Sequence, residues 1–323
     1  MSDQVGDAYD VVVIGGGAAG LNGALQLARS RRSVLVVDSG QQRNRAAPAV
    51  HGLLGHDGRP PAELLARGRS EVRAYGGQVV AGEVAAVGGE LDRGFTVTLG
   101  DGRVVLARRL LVTSGLVDNL PDIPGLRERW GRDVVHCPYC HGWEVRDQPI
   151  GVLASGPTSV HQALLFRQLS DDVIYFRQGT DLDNAAAARL AARGIRVVDG
   201  EVSAVVITDD QVAGVRLADG TVMPRQALAV AARMTARAGF LADLGLKASE
   251  HPSGMGSHIP ADPAGRTEVP GVWAAGNVTD MSAQVGASAA AGALAGAVIN
   301  ADLVEEETRQ AVEAAAARAG APR

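Results

Sequence analysis

The apolar positions of this chain fall into stretches that share one plan. Residues 9–14 (YDVVVI) are rich in Val and Ile, as a parallel strand buried on both faces requires. A glycine-rich turn follows, then LNGALQLAR with helical spacing, then a second apolar run, SVLVVD, that ends at Asp38. Residues 147–179 repeat the order strand, small-residue turn, helix, strand. Residues 264–300 lead through VPG into a short strand, VWAAG, and then a long small-residue helix from about Met281. In between, 76–115 and 201–232 alternate apolar and polar residues around DG turns, as antiparallel hairpins do. The alanine-rich end, EEETRQAVEAAAARAG, reads as a surface helix.

This order predicts an α/β fold with two Rossmann-like, three-layer ββα domains. The second is inserted into the first, which is therefore discontinuous: 1–116 and 245–323 form one domain, 117–244 the other. In the first turn Gly15, Gly17 and Gly20 make G-x-G-x-x-G, with Ala18 and Ala19 between them. Gly15 serves the tight turn, Gly17 lets the backbone approach a pyrophosphate, and Gly20 lets helix and strand pack closely. The helix N-terminus offers N–H groups to the phosphates, and Asp38 can accept a ribose hydroxyl. Asn277 and Gln284, beside the last strand and helix, are placed for a second contact with the same cofactor. In the inserted unit the corresponding turn reads Ala154, Ser155, Gly156, Pro157, Thr158, Ser159. Its first glycine is missing and Pro157 has no N–H to donate, so the fold signal survives without most of the dinucleotide signal.

Composition narrows the function. The 323 residues are 46% hydrophobic and 21% charged, ample for the core of a globular enzyme. A formal charge of −5, no long basic run and 3% aromatics give nucleic-acid binding no support. The start, MSDQVGDAYD, is polar and lacks a signal pattern, and the apolar runs are short and broken by Gly or charge, so no membrane span is expected. Two cysteines are no disulfide framework, which points to a cytoplasmic protein with a working thiol pair.

That pair, Cys137 and Cys140, stands in VVHCPYCHGWE. The spacing allows a disulfide across one helical turn, and exchange needs a thiolate, whose formation a flanking imidazole at His141 can assist. With no second Cys pair to complete a four-ligand set, no metal site is expected. His136 is assigned to packing or a helix-end hydrogen bond.

Together, VVVIGGGAAG, TSG (113–115), CPYC and EVPGVWAAGNVTD resemble the low-molecular-weight thioredoxin reductases of the pyridine-nucleotide disulfide oxidoreductases. The resemblance runs nearly the whole chain. It implies FAD in the discontinuous domain, held by the fingerprint residues, Ser114, Gly115, Asn277, Gln284 and Val285, with the CxxC in the inserted domain and a homodimer. It places His51 and His56 in the loop that approaches the flavin. Three features depart from the reductases: His141 replaces the acid after the second cysteine, ASGPTS replaces the second fingerprint, and Arg177, Gln178, Gly179 stand where paired arginines meet a 2′-phosphate. With AAGNV, these features resemble the subgroup of dithiol oxidases acting on gliotoxin- or holomycin-like dithiols. That subgroup implies that a small dithiol is oxidised and O2 takes the electrons. Cys137 would then exchange with substrate, Cys140 would face the flavin, and His141 would serve as general base. A reductase of thioredoxin-like proteins fed by NAD(P)H or another donor, and a flavin redox sensor, remain as alternatives.

Overall fold

The computed structural model describes residues 5–320; residues 1–4, part of the polar N-terminal stretch, and 321–323 lie outside the described residues. The strand Ala8–Ile14 is central to its sheet, pairing in parallel with Val34–Asp38 on one side and Val104–Val112 on the other. Its side chains divide by alternation. Val11 and Val13 face the helices Ala18–Arg29 and Val285–Gly320, while Val12 and Ile14 pack with Phe95 and Val97 of an antiparallel layer. Strand Val104–Val112 joins the two layers. Its first half pairs antiparallel with Gly94–Leu99, and its second half pairs parallel with Val272–Ala274. The result is the three-layer ββα arrangement.

Within 76–115 the hairpin turn at Asp101–Gly102 forms, with Gly102 at φ 88°. Gln78–Ala81, however, joins the parallel sheet beside Val34–Asp38. The stretch 201–232 behaves likewise: Val202–Thr208, Gln211–Leu217 and Val222–Pro224 are antiparallel, whereas Ala227–Val230 enters the inserted unit's parallel sheet. That sheet runs Arg196–Val198, Val173–Phe176, Ile150–Leu153, Ala227–Val230, Val134–Val135. Alternation cannot tell a hairpin strand from one that leaves its partner for a buried sheet.

The chain crosses between the units on paired strands, Leu116–Asn119 antiparallel to Arg233–Ala236. The segment through Leu244, grouped by sequence with the inserted unit, buries Ala236, Ala238 and Leu241 in the first unit's core.

Two expectations about the last helix need correction. It starts at Val285, four residues after Met281, and runs unbroken to Gly320, so the alanine-rich end is its continuation and not a separate helix. Its stretch Val285–Ala319 is also long and apolar enough, by length and composition, to cross a membrane, contrary to the reading that no run approaches such a span. The apolarity reflects packing on helix Ala18–Arg29. A Cβ on Gly292 would stand 1.9 Å from the Ala19 carbonyl oxygen, so only glycine permits this approach. Ala295, Ile299 and Leu303 are fully buried there, and residues 308–319 are exposed. Arg109, 4% exposed, fixes this helix to the sheet through Asp302 and Glu306, each at 2.6 Å.

Candidate active site

A cleft of about 1040 Å³ lies between the units, lined by the fingerprint turn, the loop through His51, TSG, the redox turn and residues 275–288. Gly15 enters the turn at φ 111°, and a Cβ there would sit 2.3 Å from the Thr113 carbonyl oxygen. Gly20 does not line the cleft; its Cβ would stand 1.9 Å from the Gly15 oxygen, so its bareness lets the helix meet the strand. Gly17 differs from both. It precedes the first helical residue, no side chain caps the helix there, and nothing lies within 4 Å of where its Cβ would be. Ala18 and Ala19 line the cleft beside it.

Asp38 stands at the cleft wall, its carboxylate accepting from the Gln42 amide at 3.1 and 3.2 Å and from the Gly40 N–H at 3.1 Å. It lies against Gly16, where a Cβ would come within 2.6 Å of the carboxyl carbon. Asp38 leaves no room for a side chain at Gly16, a constraint that the fingerprint spacing does not mark. A helix N-terminus with open space before it, next to a carboxylate within a large cleft, fits a dinucleotide's pyrophosphate and ribose.

Beside the fingerprint turn, the Ser114 hydroxyl donates to the Arg237 carbonyl oxygen at 2.6 Å, and Gly115 turns the chain at φ 70°. The Asn277 amide donates to the carbonyl oxygens of Asp280 (3.0 Å) and Ala283 (2.9 Å). Its donors therefore build the turn that delays the helix start to Val285. Asn277, Gln284 and Val285 all line the cleft. So does Arg43, which sequence reasoning missed; it forms a two-pronged pair with Asp118, both contacts 2.7 Å.

The redox turn follows the buried strand Val134–Val135. Cys137 caps a one-turn helix, Pro138–His141, its sulfur accepting the Cys140 N–H at 3.2 Å, and Pro138 occupies the first helical position, where an N–H is dispensable. Cys137 and Cys140 are joined as a disulfide with Cα atoms 5.2 Å apart. Gly142 is also required: its Cβ would lie 2.2 Å from the Pro138 oxygen and 2.4 Å from Leu169 Cδ1. Tyr139 (67% exposed) and Trp143 (65%) flank the pair at the surface.

His141 is half-buried in the cleft wall, and burial pushes its pKa below the usual imidazole value; the Glu144 carboxylate opposes that shift and His51 adds to it. His136 is held low by burial foremost, then by Arg43. Its ring Nδ1 lies 3.1 Å from the Val230 carbonyl oxygen, and its own carbonyl accepts from Gln162 at 2.6 Å, a packing role. Of the loop histidines, His51 lines the cleft. His56 does not, and its buried Nδ1 has no partner. Among the described residues no cluster of three or more His, Cys, Asp or Glu side chains gathers as a metal site.

The turn at 154–159 is satisfied from within. The Ser159 hydroxyl accepts both the Ser155 N–H (3.0 Å) and the Gly156 N–H (3.2 Å), while the Ser155 hydroxyl donates to the Ala231 carbonyl oxygen at 2.7 Å. The hollow beside it holds only about 90 Å³. Arg177 donates to the Thr180 oxygen at 2.7 Å and lies 3.3 Å from Asp199.

Comparison with known proteins agrees with this geometry. The profile of the pyridine nucleotide-disulphide oxidoreductase family matches residues 9–313. A protein named thioredoxin reductase tcpT, from Claviceps purpurea, is 33% identical over 315 residues, covering 92% of this chain and 95% of its own. Among solved structures, the crystal structure of HlmI superposes with a TM-score of 0.91 at 47% identity, over 97% of this chain and 98% of that one. An oxidoreductase from Agrobacterium tumefaciens superposes at 0.86 and 37% identity, over 92% and 99%.

Proposed function

We propose, from the premise that the chain belongs to the pyridine nucleotide-disulphide oxidoreductase family, that this flavin disulfide oxidoreductase oxidises a small-molecule dithiol to its disulfide, with O2 as final acceptor. The observation that carries the direction is the turn at 154–159, where Ser159 already takes the two N–H groups that a nicotinamide cofactor's phosphates would need. With Pro157 lacking a third N–H and Arg177 already engaged, NAD(P)H has little to hold it there.

FAD would lie along the first cleft wall, its pyrophosphate at Gly15, Gly17, Ala18 and Ala19, a ribose at Asp38, and its flavin end near Ser114, Gly115, Asn277, Gln284 and Val285. Bound there, it would accept two electrons from the reduced cysteine pair. The chain's own residues do the rest. His141, kept neutral by burial, takes the proton of one substrate thiol. The thiolate attacks Cys137, breaking the Cys137–Cys140 bond and leaving Cys140 as thiolate. The second substrate thiol attacks the substrate sulfur of the mixed disulfide, closing the substrate disulfide and displacing Cys137, which takes up its proton. The substrate leaves two electrons and two protons poorer, and the protein holds a reduced pair.

The same reading has the domains divide at the crossing strands Leu116–Asn119 and Arg233–Ala236, short of the 244 expected from the sequence, the chain pair as a homodimer, and the enzyme work in the cytoplasm. A thioredoxin-like protein is the alternative partner. The relative named thioredoxin reductase favours it, as do Tyr139 and Trp143 exposed beside the disulfide. Cys137→Ser and Cys140→Ser should each abolish dithiol turnover while FAD stays bound; turnover retained by either variant refutes the exchange.

A further inference from the structure

No step above uses Glu144 or His51, yet together they bridge the two units at the redox turn. Glu144 Oε1 lies 3.3 Å from His51 Nε2, and His51 Nδ1 lies 3.5 Å from Asp57 Oδ1. The row of acid, imidazole and acid starts in the loop of the first unit and ends on the redox turn of the inserted unit. Glu144 stands three residues past His141, one helical turn on, the spacing at which side chains neighbour each other. The 3-10 turn Trp143–Val145 that carries it is held in place by Gly142, whose missing side chain admits Leu169.

We propose that Glu144, held by His51 across the cleft, is a positioning residue for His141, orienting the ring and stabilising the imidazolium formed when His141 takes the substrate thiol's proton. The inference rests on the reading of His141 as base. The acid missing directly after Cys140 is thus supplied one turn later, from a place where it acts on the base and not on the cysteines. Electrostatics agrees in direction, since Glu144 favours the protonated ring while burial and His51 oppose it.

The charged and titratable groups around His141 are few. Its own segment contributes Glu144 and Arg146, the latter turned onto the Trp143 ring at 4.1 Å. The loop of the first unit contributes His51 and Asp57, and helix Ser159–Phe166 contributes His161 at the cleft wall. Among the described residues, Glu144 is the carboxylate beside the ring whose side-chain partner is an imidazole alone, whereas Asp57 also accepts the Gly52 N–H.

The test is a pair of readouts on the FAD-loaded, oxidised enzyme. The first is the titration of the histidine ring protons by NMR, with His141→Asn identifying the His141 signal. The second is the pH dependence of anaerobic flavin bleaching by dithiothreitol. Glu144→Gln should move both the His141 titration and the acid limb of the rate to lower pH by about half a unit to one unit, roughly 3–10-fold in ionisation constant. Glu144→Asp, which keeps the charge on a shorter arm, should return part of that shift. A rate lowered equally at every pH, with the His141 titration unmoved, would make Glu144 structural only and overturn the proposal. If the acid limb survives in His141→Asn, the base assignment fails. The NMR shift still reports separately whether Glu144 acts on His141.

Discussion

Gly17→Ala adds one methyl at the point where the fingerprint turn opens into the cleft. Gly17 sits at φ −78°, ψ −170°, which any L-residue adopts, and the new Cβ meets no protein atom within 4 Å. The fold should therefore lose less than about 1 kcal/mol, the scale of a changed helix cap. The methyl instead occupies the approach to the helix N-terminus, where a pyrophosphate must come within hydrogen-bonding distance of backbone N–H groups. A 10- to 100-fold weaker Kd for FAD is expected, or about 1.4–2.8 kcal/mol. Gly20→Ala is the contrasting control. Its Cβ would stand 1.9 Å from the Gly15 oxygen and 2.6 Å from Thr113 Oγ1, and backbone cannot yield as a side chain end can. Overpacking of this kind costs about 1–3 kcal/mol or more. Fluorescence titration of deflavinated protein with FAD, with thermal unfolding of the same samples, separates the two effects. Wild-type FAD affinity in Gly17→Ala, or unfolding as early as Gly20→Ala, would refute the reasoning.

Two further outcomes follow from the same geometry. Ser159→Ala leaves the Ser155 and Gly156 N–H groups without their acceptor, and should lower stability by about 1–3 kcal/mol in urea unfolding while dithiol turnover persists. His136 and His141 are both pushed below the usual imidazole pKa, chiefly by burial. The unfolded chain then binds their protons near pH 6.5 while the folded chain resists until lower pH, so stability should fall as pH drops from about 7.5 to 5.5. Urea midpoints across that range check the sign, and His136→Asn should flatten part of the slope.

The fingerprint, the order of the two units and the CxxC were legible because each is local: strand, turn and helix lie within a short run of sequence. What stayed hidden depends on residues distant in the chain. Gly16 matters because Asp38 folds against it, and Gly142 because Leu169 does. Arg43 enters the site through Asp118 on a crossing strand. ASGPTS was readable as a damaged fingerprint, but not that Ser159 would fill the vacancy. The apolar helix from Val285 has the composition of a membrane span because its face meets the backbone of another helix, and small residues serve both uses.

The central claim, electrons entering from a dithiol and not from a nicotinamide, is tested most directly by anaerobic titration of the FAD-loaded protein, followed by the flavin's visible absorption. Dithiothreitol, NADPH and NADH are added in separate runs. The account predicts rapid bleaching by the dithiol alone, reversed on admitting air. Rapid bleaching by NADPH or NADH would contradict it and make the turn at 154–159 a working nucleotide site.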